Sequence, residues 1–151
     1  QILLTLGRAG RDAGPSGWEE ARSALERWWR ERLGADSLPS EIGNGSGLSR
    51  DTRLSAGALA RLLQLAWQSG LMPDLVASLP ASGLDGTLRR SALDAGQAHL
   101  KTGSLRDVQA LAGYVHGADG QRRVLVAIVN HDNARAARPA LEALVRWAAQ
   151  R

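Results

Sequence analysis

The sequence contains no cysteine among its 151 residues. It therefore cannot form a disulfide, a thiolate nucleophile or a zinc site with cysteine ligands. Long apolar runs are also missing, because the longest, such as Val124 to Val129, fall far short of the roughly 20 residues that span a bilayer. Apolar residues make up 44% of the chain and charged residues 23%, which is typical of a globular protein. The length predicts one domain, and the composition predicts that no segment spans a membrane.

Lysine is almost absent. Lys101 is the single lysine among 19 Lys and Arg residues, and it lies in the run His99-Leu100-Lys101-Thr102-Gly103-Ser104-Leu105. Lysine is a compact ammonium, whereas arginine is a planar fork that cannot readily replace it beside a nucleophile or a carboxylate. The alternative is a surface lysine followed by a hydroxyl and a turn glycine. The Lys-Thr-Gly step alone does not decide between them.

The net charge of +4 does not by itself indicate an anionic partner. Arginines alternate with acids at helical spacing, as in Arg22 and Glu26, which is typical of a solvated helix face. No basic run is interleaved with aromatic residues, so we expect no nucleic-acid binding. His99, His116 and His131 are irregularly spaced and predict no metal site. We interpret His99 as a half-exposed strand residue on the same face as Lys101.

Helical patterns fill most of the first two thirds of the chain. Residues 1–6 are typical of the end of a helix that stops near Gly7. Ser16 and Glu19 form a capping box that predicts a helix as far as Gly34. A second helix is expected from Ser55 until Gly70 and Pro73, and residues 71–98 are expected to be loop and short helix. The predicted buried positions are Trp18, Ala21, Leu25, Trp28 and Leu33 in the first of these two helices, and Leu59, Leu62, Leu63, Ala66 and Trp67 in the second.

The last third predicts three strands and a helix. Strands are expected at 99–105, 108–116 and 123–130, with a hairpin turn at 118–120, and a helix at 135–150. Its inward positions are Leu141, Leu144, Val145 and Ala148. Small residues at Ala110, Ala112 and Gly113 would let a helix lie close to the second strand. The fold class is a mixed α/β arrangement, an antiparallel sheet flanked by helices.

The apolar run from Val124 to Val129 is typical of a strand covered on both faces. If that strand is central, its other edge needs a partner from residues before Gln1 or from another chain. The chain also begins at Gln1 directly inside the apolar stretch Ile2 to Leu6. We therefore interpret it as a fragment or a processed product.

Several segments resemble one family in the same order. They are Asn44-Gly45-Ser46-Gly47-Leu48-Ser49-Arg50-Asp51, then Ser78-Leu79-Pro80, then Gly83 to Arg90, and then Leu100 to Leu105 followed by Leu111 to Tyr114. Together they resemble the C-terminal part of the class C low-molecular-mass penicillin-binding proteins, the D-alanyl-D-alanine carboxypeptidases of peptidase family S13. The resemblance extends from about residue 1 to residue 148. It implies part of a β-lactamase/transpeptidase-like fold, with residues 1–151 forming the C-terminal portion of a single domain.

That family uses three motifs, Ser-x-x-Lys, Ser-x-Asn and Lys-Thr-Gly, in one cleft. Only Lys-Thr-Gly occurs in these 151 residues. The resemblance implies that the nucleophile belongs to a missing N-terminal half of the same domain. We therefore expect the 151-residue chain alone to be inactive and to form no stable covalent penicillin adduct.

The resemblance also implies roles for individual residues. The catalytic residues would be Lys101, which supplies positive charge, and Ser104, whose backbone N–H would form half of an oxyanion hole. The hydroxyls of Thr102 and Ser104 would bind the substrate carboxylate, and Gly103 would allow the substrate backbone to approach the strand. The remaining substrate-binding residues would be Leu105, Ser46, Leu48 and Arg50. Without the resemblance, the glycine-rich segment around Ser46 is most simply a turn.

The implied reaction is serine-type hydrolysis of D-Ala-D-Ala stem peptides of peptidoglycan through an acyl-enzyme, with β-lactams as substrate mimics. It requires no cofactor and no metal, and it implies an exported, periplasmic or envelope location. Two alternatives remain open. One is a non-catalytic module that binds peptidoglycan peptides; the other is a structural fragment in which Lys101 is incidental.

Overall fold

Three antiparallel strands form the sheet of the computed structural model, which describes residues 2–8, 17–39, 41–91 and 93–151. Strand β1 spans Ala98–Ser104, β2 spans Val108–His116 and β3 spans Arg122–Asn130. The strand order is β1-β2-β3. All three predicted strands are therefore present to within one residue at each end, and the prediction of an antiparallel sheet flanked by helices is confirmed.

In the sheet that the described residues form, β3 is an edge strand. Among the described residues it pairs only with β2, along a register from Val108↔Asn130 to His116↔Arg122, so β2 is the central strand. Residues 123–129 are all half-buried. A run of successive apolar residues indicates that both faces of a strand are covered. Covered faces do not require that both edges of the strand are paired. A further strand beside β3, from outside these residues, stays a prediction.

The chain divides into two compact units, with the boundary in the sequence between Arg61 and Leu62. The first unit contains helix α1, Ile2–Leu6, and helix α2, Trp18–Leu33, followed by a short 3-10 helix, Ala35–Ser37. Helix α1 ends before Gly7, as predicted. The predicted cap Ser16 lies outside the described residues, and the described part of α2 begins after Gly17.

Trp29, rather than the predicted Trp28, is the tryptophan that α2 buries. Trp29 is 5% exposed and Trp28 is 39% exposed. The Trp29 Nε1–H donates to Ser37 Oγ at 3.1 Å, and this hydroxyl donates to the Leu33 carbonyl at 2.8 Å. The buried indole N–H thus has a partner, which a buried tryptophan requires. The prediction was wrong because that partner lies beyond the end of the helix.

Helix α3 spans Ala56–Trp67 and helix α4 spans Met72–Ser78. Ser55 precedes α3 as its cap, since its Oγ accepts the Ala58 N–H at 3.1 Å. Pro73 lies in the first turn of α4 instead of ending α3, a position where its missing N–H costs no hydrogen bond. In the residues described between 79 and 97 there are turns and a short 3-10 helix, Gly86–Leu88, as predicted.

Helix α5, Arg138–Gln150, packs on one face of the sheet. The first three residues of the predicted helix, 135–137, instead belong to a 3-10 turn, Ala134–Ala137. The core between sheet and helix contains Ala98, Leu100, Leu111, Val115, Val145, Ala148 and Ala149, with Leu141 packed against it. Leu144, predicted to face inward, is only half-buried.

The neighbouring strand β1 requires a glycine at position 113. It has φ +151°, and a Cβ at this position would collide with the His99 carbonyl oxygen and would lie 3.0 Å from the Cα of Leu100. The expectation that Gly113 makes room for a helix stays a prediction, because the atoms nearest to an added Cβ belong to β1. This glycine allows β2 to lie against β1, the strand that carries Lys101.

Tyr114 anchors the opposite face of the sheet. It is 1% exposed, and its hydroxyl donates to the Leu63 carbonyl at 2.8 Å. Its ring lies 5.0 Å from that of Trp67 between ring centroids. Burial raises the pKa of the Tyr114 hydroxyl above its ordinary value.

A membrane-crossing helix would have to be longer and more apolar than any helix in the described ranges.

Candidate active site

In the part of the chain that the structure describes, no strand pairs with the outer edge of β1 at its C-terminal end. The hydrogen bonds Leu105 N–H to Val108 O, at 2.9 Å, and His116 N–H to Gln97 O, at 2.8 Å, show that the odd-numbered residues of this region pair with β2. Because backbone groups alternate in direction along a strand, the even-numbered residues face away from β2. At Ala98 and Leu100 this edge is covered by the segment before β1, whereas at Thr102 and Ser104 the backbone groups face outward.

The covered part of the edge is held by two backbone contacts. Leu100 N–H donates to Pro80 O at 3.0 Å, and Ser82 N–H donates to Ala98 O at 2.8 Å. Residues 80–82 therefore act as a short extra strand that ends one step before Thr102. The backbone N–H of Ser104 lies beyond this cover, on the side where the expected oxyanion would bind.

Lys101 lies on the sheet face opposite α5, together with His99. Side chains alternate between the two faces, and Leu100, between them, is fully buried against α5. The Lys101 side chain is exposed, and its Nζ donates to the Thr102 carbonyl oxygen at 2.7 Å. The Lys101 ammonium thus uses the outward-facing carbonyl oxygen of Thr102 as its acceptor. A substrate amide could replace it there, which would release the ammonium toward a nucleophile or carboxylate.

The Thr102 hydroxyl is held by a second threonine. Its Oγ1 donates to Thr87 Oγ1 at 3.0 Å. Thr87 belongs to the 3-10 turn at Gly86–Leu88, which is fixed in place by the Ala81 N–H donating to Asp85 Oδ1 at 2.7 Å. Gly86 has φ +50°, and a Cβ there would lie 3.1 Å from the ring of Pro80. The turn is therefore packed against the segment that covers the upper edge of β1.

The Ser104 hydroxyl is held from the other strand. Gln109 lies directly opposite Ser104 in the register, and its Nε2 donates to Ser104 Oγ at 2.6 Å. Gly103, between the two hydroxyl residues, adds no side chain, and a Cβ there would make ordinary contact with Ala110 at 3.6 Å. Packing therefore does not require glycine at 103, whereas close approach of a ligand backbone would use it.

A cavity of about 430 Å³ lies beside these hydroxyls. Thr87, Thr102, Ser104 and Gln109 all line it, and its far wall is formed by α5. The arginines of its lining are Arg90, Arg138 and Arg146, and its one carboxylate, Glu142, pairs with Arg138 at 3.0 Å. Basic residues thus outnumber acidic ones here, which favours an anionic group near the hydroxyls.

The segment 44–50 belongs to the first unit and forms a turn. Asn44 Oδ1 accepts the backbone N–H of Ser46 at 3.0 Å and also the Ser46 hydroxyl, and Ser46 Oγ accepts the Leu48 N–H at 3.1 Å. The polar groups of Ser46 are therefore used within the turn. Leu48 is 86% exposed and Arg50 is exposed, so both side chains are available for contacts.

Two histidines lie on the same face of the sheet as Lys101. The rings of His99 and His116 are 5.9 Å apart between centroids, and Arg122 Nε donates to His116 Nδ1 at 3.2 Å. Burial, with smaller contributions from Arg122 and His99, lowers the pKa of His116 below its ordinary value. The Nδ1 of His99 is buried and has no hydrogen-bond partner among the described residues. Nowhere in those residues do three or more His, Asp or Glu side chains form a possible metal site.

The structure thus brings together Lys101, Thr102, Gly103 and Ser104 on one edge. Leu105 lies just after the strand and is 37% exposed. Neither Thr87 nor Gln109 is among the site residues predicted from the sequence. The cross-strand register could have identified Gln109 once the turn at 105–107 was placed, whereas nothing in the sequence indicates that Thr87 meets Thr102.

Comparison with known proteins gives a match over almost the whole chain. The family model of the D-Ala-D-Ala carboxypeptidase 3 (S13) family matches residues 2–151. The D-alanyl-D-alanine carboxypeptidase of Actinomadura sp. (strain R39) is 35% identical over 135 residues, which are 84% of this chain and 23% of that protein. Carboxypeptidase DacB of Mycolicibacterium smegmatis is 35% identical over 154 residues, covering 95% of this chain and 32% of the relative. The chain thus spans a third or less of the length of these relatives.

Solved structures with the same fold are also found. Penicillin binding protein 4 (dacB) from Haemophilus influenzae superposes with a TM-score of 0.68 and 20% identity, covering 87% of this chain and 33% of that one. The penicillin G acylated Bd3459 predatory endopeptidase of Bdellovibrio bacteriovorus superposes with a TM-score of 0.65 and 14% identity, covering 97% of this chain and 46% of that one. These similarities show that the chain has part of the penicillin-binding fold.

Proposed function

Since the chain belongs to the D-Ala-D-Ala carboxypeptidase 3 (S13) family, we propose that the polypeptide carrying it hydrolyses D-Ala-D-Ala termini of peptidoglycan stem peptides and is acylated by β-lactams. Peptidoglycan lies outside the cytoplasmic membrane, so the proposed location is the periplasm or cell envelope. The observation that supports the proposal is the free edge of β1 at Thr102 and Ser104, directly beside the single lysine.

The substrate binds this edge as an added strand. An extended peptide can accept and donate backbone hydrogen bonds at the outward-facing groups of Thr102 and Ser104. Gly103 leaves room for its backbone between them. The terminal carboxylate then meets the hydroxyls of Thr102 and Ser104, which hold it in charge-assisted hydrogen bonds. Lys101, on the other face of the strand, supplies a positive field.

The chemistry develops negative charge on the carbonyl oxygen of the scissile peptide bond. A serine attacks this carbonyl, the D-alanine amine leaves with a proton, and water later releases the acyl group from the serine. The outward-facing N–H of Ser104 donates to that oxygen in the transition state, an interaction worth on the order of 3 kcal/mol. Ser-x-x-Lys and Ser-x-Asn are absent from these 151 residues, so the attacking serine comes from residues outside them.

Fluorescent penicillin labelling of the whole polypeptide tests the proposal. Covalent label that survives denaturation should form on the wild type, and its rate should fall about 100-fold in Lys101→Ala, the loss typical of one removed transition-state donor. Lys101→Arg should also be slow, because the guanidinium fork cannot take the place of a point charge. Arg135→Ala, which removes an exposed cation before α5, is the matched control and should label normally.

An unlabelled wild type, with retained affinity for a D-Ala-D-Ala peptide and no turnover, would replace the proposal by a non-catalytic binding role. Unchanged labelling of Lys101→Ala would contradict the role of the lysine. Label on the 151-residue chain alone would place the nucleophile among its own serines and would contradict the assignment to residues outside it.

A further inference from the structure

Each of the two hydroxyls expected to bind carboxylate has a side-chain hydrogen-bond partner. Thr102 Oγ1 lies 3.0 Å from Thr87 Oγ1, and Ser104 Oγ lies 2.6 Å from Gln109 Nε2. The two partners come from different places in the fold, one from the turn at 86–88 and the other from strand β2. We infer that Thr87 and Gln109 are positioning residues that direct the protons of Thr102 and Ser104 toward the substrate carboxylate, an inference that rests on the proposed function.

A hydroxyl carries one proton and can accept two further hydrogen bonds. A carboxylate only accepts, so Thr102 and Ser104 bind it by donating their single protons. A partner that donates to the hydroxyl oxygen therefore leaves the proton directed elsewhere. Hydrogen bonds in such a chain also polarise one another and strengthen the outermost one.

Gln109 already donates to the hydroxyl that it contacts. Its Nε2–H donates to Ser104 Oγ, so the Ser104 proton points away from Gln109. Gln109 is half-buried and lies opposite Ser104 in the β1–β2 register, which fixes its distance from the hydroxyl. Ser104 is thus prepared for an acceptor before a substrate arrives.

Thr87 works as a reversible partner. Without substrate, Thr102 donates to Thr87. When a carboxylate binds, both hydroxyls rotate, so that Thr102 donates to the carboxylate and Thr87 donates to Thr102. No donor is lost in the exchange. The packed turn around Asp85 and Gly86 keeps Thr87 within reach of Thr102.

The test compares two reagents in the whole polypeptide. Intact-mass measurement gives the acylation efficiency with benzylpenicillin, which has a free carboxylate, and with its methyl ester, which does not. The ratio of the two efficiencies reports carboxylate recognition alone, because any loss of folded protein lowers both equally. We expect Thr87→Val and Gln109→Leu each to lower the ratio about tenfold, equivalent to ~1.4 kcal/mol.

The conservative variants distinguish positioning from packing. Thr87→Ser keeps the hydroxyl and should restore the wild-type ratio. Gln109→Glu keeps the shape but offers an acceptor, which would draw the Ser104 proton inward, so its ratio should fall further than that of Gln109→Leu. Gln121→Leu, which removes an exposed glutamine after β2, is the control and should leave the ratio unchanged.

The outcomes separate the two proposals. A wild type that is not acylated by benzylpenicillin overturns the proposed function, and the inference falls with it. An acylated wild type whose ratio is unchanged in Thr87→Val and Gln109→Leu overturns the inference alone. An equal fall in Thr87→Ser and Thr87→Val would assign Thr87 to packing and would also overturn its positioning role.

Discussion

Gly113→Ala should destabilise the sheet at the strand that carries the candidate site. Gly113 lies opposite Leu100 in the β1–β2 register, one residue from Lys101. Its φ of +151° is a conformation that residues with a side chain rarely adopt, and an added Cβ would overlap the His99 carbonyl oxygen. The substitution therefore imposes both a backbone penalty and a collision with the neighbouring strand.

The two contributions can be estimated separately. A residue held in a sparsely populated backbone region costs about 1–3 kcal/mol. Forcing extra volume into packed surroundings costs about 1–3 kcal/mol more. We therefore expect a total loss of about 2–6 kcal/mol in the free energy of unfolding. Any relief of the collision must move β1, because the obstructing atoms belong to its backbone and not to a flexible side chain.

Gly120→Ala provides the matched control. Gly120 also has a positive φ, +76°, but a Cβ at this position meets nothing within 4 Å. Its replacement should cost only the backbone penalty, about 1–2 kcal/mol. Urea unfolding of the two variants gives the cost of the collision as their difference, and penicillin labelling should slow only in Gly113→Ala. Equal destabilisation by both variants would refute the argument that Gly113 exists to let β1 approach.

Two further predictions concern the face of the sheet opposite α5. Tyr114→Phe should lower the free energy of unfolding by about 0.5–1.5 kcal/mol, because it removes the buried hydrogen bond from the Tyr114 hydroxyl to the Leu63 carbonyl; an unchanged urea midpoint would contradict this. His116 has a pKa below its ordinary value of 6.5, so the unfolded state binds more protons than the folded state between the two pKa values. Its contribution to stability is complete above pH 6.5 and decreases as the pH falls toward the folded pKa. Urea midpoints measured from about pH 7.5 to about pH 5 should fall with decreasing pH in the wild type, and should fall less in His116→Gln. An equal dependence on pH in the two proteins would exclude the contribution of His116 beside Arg122 and His99.

The sequence predicted the strands well because their signals are local. Alternating and successive apolar residues, with turn residues between them, placed β1, β2 and β3 to within one residue. Helix faces were predicted less well, since two adjacent tryptophans satisfy a helical period almost equally. The choice of Trp29 over Trp28 depends on a hydrogen bond to Ser37 that no periodicity contains.

The family was also determined by the sequence. The order and spacing of four segments around Lys101 indicated it, and the match over residues 2–151 confirms it. Motif residues such as Lys-Thr-Gly can be read directly because the reaction demands particular side chains at fixed spacing along one strand. The roles of all the predicted site residues stay predictions, those of Lys101, Thr102 and Ser104 as well as those of Leu48 and Arg50. The pairing of β3 with a further strand also stays a prediction.

Only the tertiary structure decided which groups these residues meet. The free edge at Thr102 and Ser104 exists because the segment at Pro80 covers the strand as far as Leu100 and then turns away. Thr87 reaches Thr102 from 15 residues earlier in the chain, through a turn held by Asp85. Sequence patterns report periodicity and residue chemistry, both of which are local. Contacts between distant segments depend on the register and path of the folded backbone, which a single sequence does not specify.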